Sequence, residues 1–155
     1  MSEPVNMYEV TVEGKPENPP GYRRRRAPLG PALEATRLGA TVYEIDPGES
    51  SCPYHFEGVE EEWLLVLGGT PTLRDPDGEH ELAPGDLVCF PTGPGGAHKV
   101  TNRSDAVARI VMLSTVPENG LSICVYPDSA KVGVSPWPDR RLRITESVDY
   151  WEGEV

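Results

Sequence analysis

The chain has 155 residues, with 14 Lys plus Arg against 25 Asp plus Glu and a formal net charge of −11. That length fits one domain, large enough to bury a core without metal or disulfide staples, and the acidity argues against nucleic acid or an anionic membrane surface as partner. The 16 glycines and 17 prolines lie along the whole chain between apolar runs, which excludes long helical bundles and points to short elements joined by sharp turns.

Residues 1–38 read as an arm preceding the main fold. The N-terminus shows no basic stretch leading into an apolar one, and no apolar run is long enough to cross a bilayer. The three cysteines, Cys52, Cys89 and Cys124, are far apart and form no CxxC pair, so a reduced, cytoplasmic chain is expected. Cys89 in LVCF and Cys124 in SICV read as small buried hydrophobes, while Cys52, three residues before His55, is placed to line a site. The arm holds the turn-rich PENPPGY and four consecutive arginines, Arg23 to Arg26. In so acidic a chain these are expected to pair with carboxylates of the chain itself or of a partner subunit.

From Gly39 the texture becomes that of strands. ATVYEI alternates apolar positions and stops at Asp46-Pro47-Gly48; EWLLVL is a stronger strand ended by Gly68-Gly69. TLRD and EHEL flank Pro76-Asp77-Gly78 as a hairpin, with His80 facing solvent. Ala83-Pro84-Gly85-Asp86 turns the chain into LVCF, and HKVTN, AVARIVMLS and LSICVY continue the pattern. Nothing from 39 to 126 sustains a helical period, so this unit is expected to be an antiparallel sandwich or barrel. In the extension 127–155, RLRITE reads as a short strand, and Tyr150 and Trp151 are expected to pack back onto the barrel or onto a second subunit.

Three potential metal ligands crowd into seven residues, His55, Glu57 and Glu61 in PYHFEGVEEEW. On an extended segment His55 and Glu57 share a face. Glu61 is an even step from Trp63, Leu65 and Leu67, which form a large apolar face and are read as interior. An inward carboxylate there needs a partner or an ion. A turn at Gly58 and Val59 brings Glu61 beside the pair, His98 supplies a fourth ligand, and Glu60 and Glu62 read as surface charges. The alternative is a solvated acidic loop. Two imidazoles and two carboxylates suit one divalent ion of Fe, Mn, Zn or Ni, with a position left for water or substrate.

Gly48 to Gly68, GESSCPYHFEGVEEEWLLVLG, resembles the first motif of the cupin superfamily, G-x5-H-x-H-x3,4-E-x6-G. Gly85-DLVCF-Pro91-Thr92-Gly93 and His98-KVT-Asn102 resemble the two halves of its second motif. The resemblance covers roughly 39–126 and implies an all-β fold, an antiparallel double-stranded β-helix (jelly-roll) barrel, here with an N-terminal arm. It also implies a metal near the wider mouth and frequent homodimers. Glu57 stands where the family has a second histidine, so the implied metal set is His55, Glu57, Glu61 and His98. Glu57 is alternatively an acid–base group beside a three-residue site. PGGA, at 94–97, is two residues longer than the family's spacing.

Fold does not choose a reaction. The expectation is an enzyme acting on a small polar organic molecule held in the barrel, as a dioxygenase, decarboxylase or isomerase, with Glu57 and Glu61 as proton-moving groups and Tyr43, Trp63 and Phe90 walling the pocket. The alternatives are a non-catalytic metal- or metabolite-binding cupin and an oligomeric interaction barrel.

Overall fold

The computed structural model describes residues 2–136 and 140–154. Among these, the regular structure is strands and two short 3-10 turns, Pro94–Gly96 and Pro127–Ser129. In chain order the strands are β1 (Glu13–Gly14), β2 (Arg25–Pro28), β3 (Leu38–Ile45), β4 (Phe56–Glu57), β5 (Glu62–Gly68), β6 (Thr72–Asp75), β7 (Gly78–Glu81), β8 (Leu87–Phe90), β9 (Lys99–Thr101), β10 (Ala108–Thr115), β11 (Ser122–Tyr126), β12 (Lys131–Ser135) and β13 (Arg140–Arg143).

The all-β class expected from the turn pattern is observed, but the closed jelly-roll barrel is not. The strands form three separate antiparallel sheets, ordered β1-β2-β3-β10-β5-β8, β13-β12-β11-β4 and β7-β6-β9, and none closes on itself. Closure needs an unbroken ladder, and the chain breaks its ladders where the sheets approach. Pro53, Pro91 and Pro94 have no N–H to donate. Between the four- and three-stranded sheets, pairing is reduced to a single bridge, His55 opposite His98, with Ser50 opposite Thr101 as a second isolated bridge nearby.

The central strand β10 pairs with β3 along its whole length and with β5 on its other side. Both faces of the six-stranded sheet are covered. One face carries Ile45, Leu64, Val66 and Ile110 into a core completed by Leu73, Leu82, Phe90 and Val100. The opposite face presents Ala27, Val42 and Val111, packed by Leu65, Leu67 and the arm residues Val5, Met7, Val10 and Val12. Each such side chain removed from water contributes roughly 1.5–3 kcal/mol, so the arm is held on its own chain by apolar burial.

Arginines fasten the arm at its edges. Arg25 makes two bonds to Asp46, at 2.6 and 2.9 Å, and a third to Glu44. Arg109 pairs with Glu44 and donates to the carbonyls of Met7 and Val10. Within the run Arg23 to Arg26, the ion pair with carboxylates of the same chain is made by Arg25. At the other end, Tyr150 and Trp151 pack edge-on against each other and remain 83% and 63% exposed.

Candidate metal centre

The site forms where the two sheet edges meet. His55 immediately precedes β4 and His98 immediately precedes β9, and their backbones exchange both hydrogen bonds, at 3.1 and 2.8 Å. This pairing sets the two imidazoles side by side, ring centroids 4.6 Å apart. Phe90, at the end of β8, stacks on His98 at 3.8 Å and 10°, and Tyr126, at the end of β11, stacks on His55 at 6.0 Å. Each histidine is also fixed in its tautomer. Nδ1 of His55 donates to the Pro53 carbonyl at 2.9 Å, and Nδ1 of His98 donates to the Gly96 carbonyl at 3.0 Å. Both Nε2 lone pairs are therefore directed into the same space, the arrangement that prepares imidazole for a metal.

The four-residue segment at 94–97 is what supplies the second of these acceptors. Its 3-10 turn folds back so tightly that any side chain at Gly96 would collide with the Pro91 carbonyl. Gly93, at the start of the turn, donates its N–H to the Glu57 carbonyl at 2.8 Å and so ties the loop to β4.

The carboxylate that joins the histidines is Glu62. Its Oε2 lies 3.7 Å from His55 Nε2 and 3.6 Å from His98 Nε2. Glu61 points elsewhere, accepting the Trp63 indole N–H at 2.8 Å. The parity argument reverses because Leu64 and Val66 face the main core, while Leu65 and Leu67 face the arm. A one-residue change of phase exchanges every side chain between the two faces. Trp63 shares the face of Glu61 and is 37% exposed, whereas Tyr43 lines the site cavity and Phe90 backs it.

Glu57 also approaches the site, its Oε1 3.7 Å from His55 Nε2. Two groupings bring ligand atoms within 4.8 Å of one another, His55 with Glu62 and His98, and His55 with Glu57 and Cys124. Cys124 is thus buried as expected but sits among polar groups, and Cys89 is exposed on the edge strand β8 rather than buried. Cys52 lines the cavity beside His55, and burial pushes its thiol up to about 11, so it stays protonated.

Burial governs the charges here. It pushes the Glu62 carboxyl up to about 7, with Glu57 and Glu60 adding to the rise and His55 opposing it. Glu57 is raised as well, again chiefly by burial. His98 falls to about 4, first through burial and then through its neighbour His55, so at neutral pH it is uncharged.

The donor set fits a divalent cation on the chain's own polar accounting. Glu62 Oε2, His98 Nε2 and Glu57 Oε2 are buried and have no hydrogen-bond partner, although such atoms are almost always satisfied. Of these, Glu62 and His98 border a cavity of about 100 Å³ that is also walled by Tyr43, Ser51, Cys52 and Met112. Two imidazoles and a carboxylate converge on it, a borderline set suited to Fe, Mn, Zn or Ni.

Known proteins place this geometry in a family. Residues 41–114 match the sequence profile of the Cupin domain. No curated protein matches the chain. Among solved structures, a sugar phosphate isomerase of the cupin superfamily from Silicibacter pomeroyi is similar over 91% of this chain and 92% of its own, with 23% identity and a TM-score of 0.79. A protein of Acidithiobacillus ferrooxidans, given the same description provisionally, is similar over 92% of both chains at 24% identity and a TM-score of 0.79. The polyketide cyclase RemF from Streptomyces resistomycificus is similar over 98% of this chain and 92% of its own, at 23% identity and a TM-score of 0.63. At these identities the likeness is one of fold. With its two motifs and its profile match, the segment 41–114 is a cupin domain, and the chain as a whole shares the fold of these cupin-like structures.

Proposed function

We propose that the protein is a metal-dependent enzyme of isomerase type, moving a proton between adjacent carbons of a small hydroxy-carbonyl compound. The observation that carries this reading is the convergence of Glu62 Oε2 and His98 Nε2, both buried and unpartnered, on the Nε2 of His55. His55, Glu62 and His98 hold the ion, and three protein ligands leave positions open. When bound, the ion polarises the substrate carbonyl as a Lewis acid. Glu57, a carboxylate left over from that set with one free oxygen, takes the proton from the hydroxyl-bearing carbon next to the carbonyl and returns it to the former carbonyl carbon, while the hydroxyl proton passes to the former carbonyl oxygen. Tyr43 has its hydroxyl raised by burial and so stays protonated, able to donate a hydrogen bond to a substrate oxygen. The descriptions of the two structures similar over nine-tenths of both chains support this choice among cupin chemistries.

A second reading draws on the other grouping. An ion shared by His55, Glu57 and Cys124 would use Glu57 as a ligand and so remove it as the base, which gives a non-catalytic metal-binding protein. Elemental analysis and proton exchange separate the two. In D2O, the metal-loaded protein should exchange the C2 proton of an aldose phosphate or a C1 proton of a ketose phosphate, followed by NMR. Glu57→Gln should keep its metal and lose exchange. If Glu57→Gln and Cys124→Ala lose the metal while Glu62→Gln keeps it, the second reading holds. Exchange no faster than with the free ion overturns the enzymatic one.

A further inference from the structure

We infer that the pocket between the arm and the β11–β12 turn is an anion-binding site, with Arg24 as its anchor, and that it receives the phosphate or carboxylate end of the molecule whose other end reaches the metal cavity. The pocket has a volume of about 430 Å³ and is walled by Tyr22, Arg24, Pro53, Tyr54, Asp128 and Lys131 among others. In a chain of net charge −11 its free charges are positive. Its acid, Asp128, is neutralised by a fork of two bonds to Arg74, at 2.6 and 3.0 Å. Lys131 lies over the Tyr126 ring and Lys99 over the Tyr22 ring, and among the described residues neither has a carboxylate in ion-pair contact.

Arg24 differs from its neighbour Arg25, which is held by Glu44 and Asp46. Among the described residues it has no ion-pair partner; its one hydrogen bond runs from Nη1 to the Tyr22 carbonyl at 3.5 Å. Its Nε is buried and unsatisfied, a cost removed by an acceptor on the guanidinium. A planar fork with free N–H groups matches the oxygens of phosphate or carboxylate.

The pocket and the metal cavity share a wall. The Arg24 guanidinium stands 5.9 Å from the centre of the Tyr43 ring, and Tyr43 lines the metal cavity. On the other side, Pro53 lines the anion pocket and its carbonyl orients His55. A molecule spanning this wall presents an anionic tail to Arg24 and a reacting head to the metal. That continuity rests on the function proposed above; the anion pocket itself does not.

The test therefore uses protein stripped of metal with a chelator. Calorimetric titration with inorganic phosphate and, separately, with acetate should show binding of at least one anion. Arg24→Gln should weaken it at least tenfold, Arg24→Lys should recover part of it, and Lys131→Met, at a half-buried wall, should weaken it several-fold. Preference for phosphate assigns a phosphate ester, and preference for acetate a carboxylate. Binding of neither anion, or binding unchanged in both Arg24→Gln and Lys131→Met, overturns the proposal. Metal content of the same variants, expected to equal wild type, reports on the metal reading separately.

Discussion

His98 Nε2 and Glu62 Oε2 lie 3.6 Å apart, each buried and neither with a hydrogen-bond partner. The Nδ1 proton of His98 is held by the Gly96 carbonyl, so the facing nitrogen has no proton to give the carboxylate. Two lone-pair atoms thus confront each other across a gap that a cation would bridge. Glu62→Gln removes a ligand and should lower metal affinity by more than the roughly 10- to 100-fold lost with a residue that only orients one, measured by competition with a chromogenic chelator. Glu61→Gln, whose amide oxygen still accepts the Trp63 N–H, should bind as wild type.

The ion-free protein should show the strain of that confrontation in its pH dependence. Glu62 is raised from 4.5 to about 7, so its contribution to stability is full below 4.5 and is lost as pH rises through 7. His98 is lowered from 6.5 to about 4, so its contribution is full above 6.5 and is lost as pH falls through 4. The two oppose each other in the overlap, which makes the variant the cleaner probe. The Tm of metal-free Glu62→Gln should gain steadily on wild type between pH 4.5 and 7 and hold a constant lead above that. Parallel curves would falsify the assignment. Adding metal should reverse the trend, since the ion binds the deprotonated carboxylate.

Asn102 tests the support beneath the site. It is fully buried, donates to the carbonyls of Ile45 and Ala106 at 2.7 Å each, and accepts from Ser104. Asn102→Leu leaves those groups unpaired and should cost roughly 3 kcal/mol. Urea unfolding should show a lower midpoint with an unchanged slope.

Arg109→Met should loosen the arm. It removes the bonds to Met7, Val10 and Glu44 while keeping most of the apolar stem. We expect a loss of about 2 kcal/mol and faster cleavage within residues 5–12 under limited proteolysis, with metal content unchanged.

Gly96→Ala should misplace His98 rather than unfold the protein. The turn must open to clear the Pro91 carbonyl, and the carbonyl that orients the imidazole moves with it. Metal affinity should fall several-fold while far-UV circular dichroism stays the same.

The strands, their turns and the two histidines were legible in the sequence, because alternation and Gly/Pro punctuation encode local geometry directly. The phase of β5 was not. Leu64, Leu65, Val66 and Leu67 are all apolar because both faces of that strand are covered, one by the core and one by the arm. In a strand buried on both sides, hydrophobicity carries no inside-outside signal, so alternation alone does not choose Glu62 over Glu61 as the inward carboxylate. The longer spacing of the first motif, four residues between Glu57 and the glutamate, was the available clue to Glu62. Closure was equally illegible, since it depends on whether sheet edges extend their ladders across prolines. Arg24 and Arg25, adjacent and identical in type, differ only in what the fold brings near them.

The backbone bridge between His55 and His98 gives the centre a mechanical role. The four-stranded and three-stranded sheets meet at this seam, and the residues that stitch it are the ones that present the imidazoles. The amides of His55 and His98 are therefore natural reporters in hydrogen exchange. Fraying of the seam and loss of the binding geometry are one event, so whatever occupies the site also acts as a rivet between two sheets.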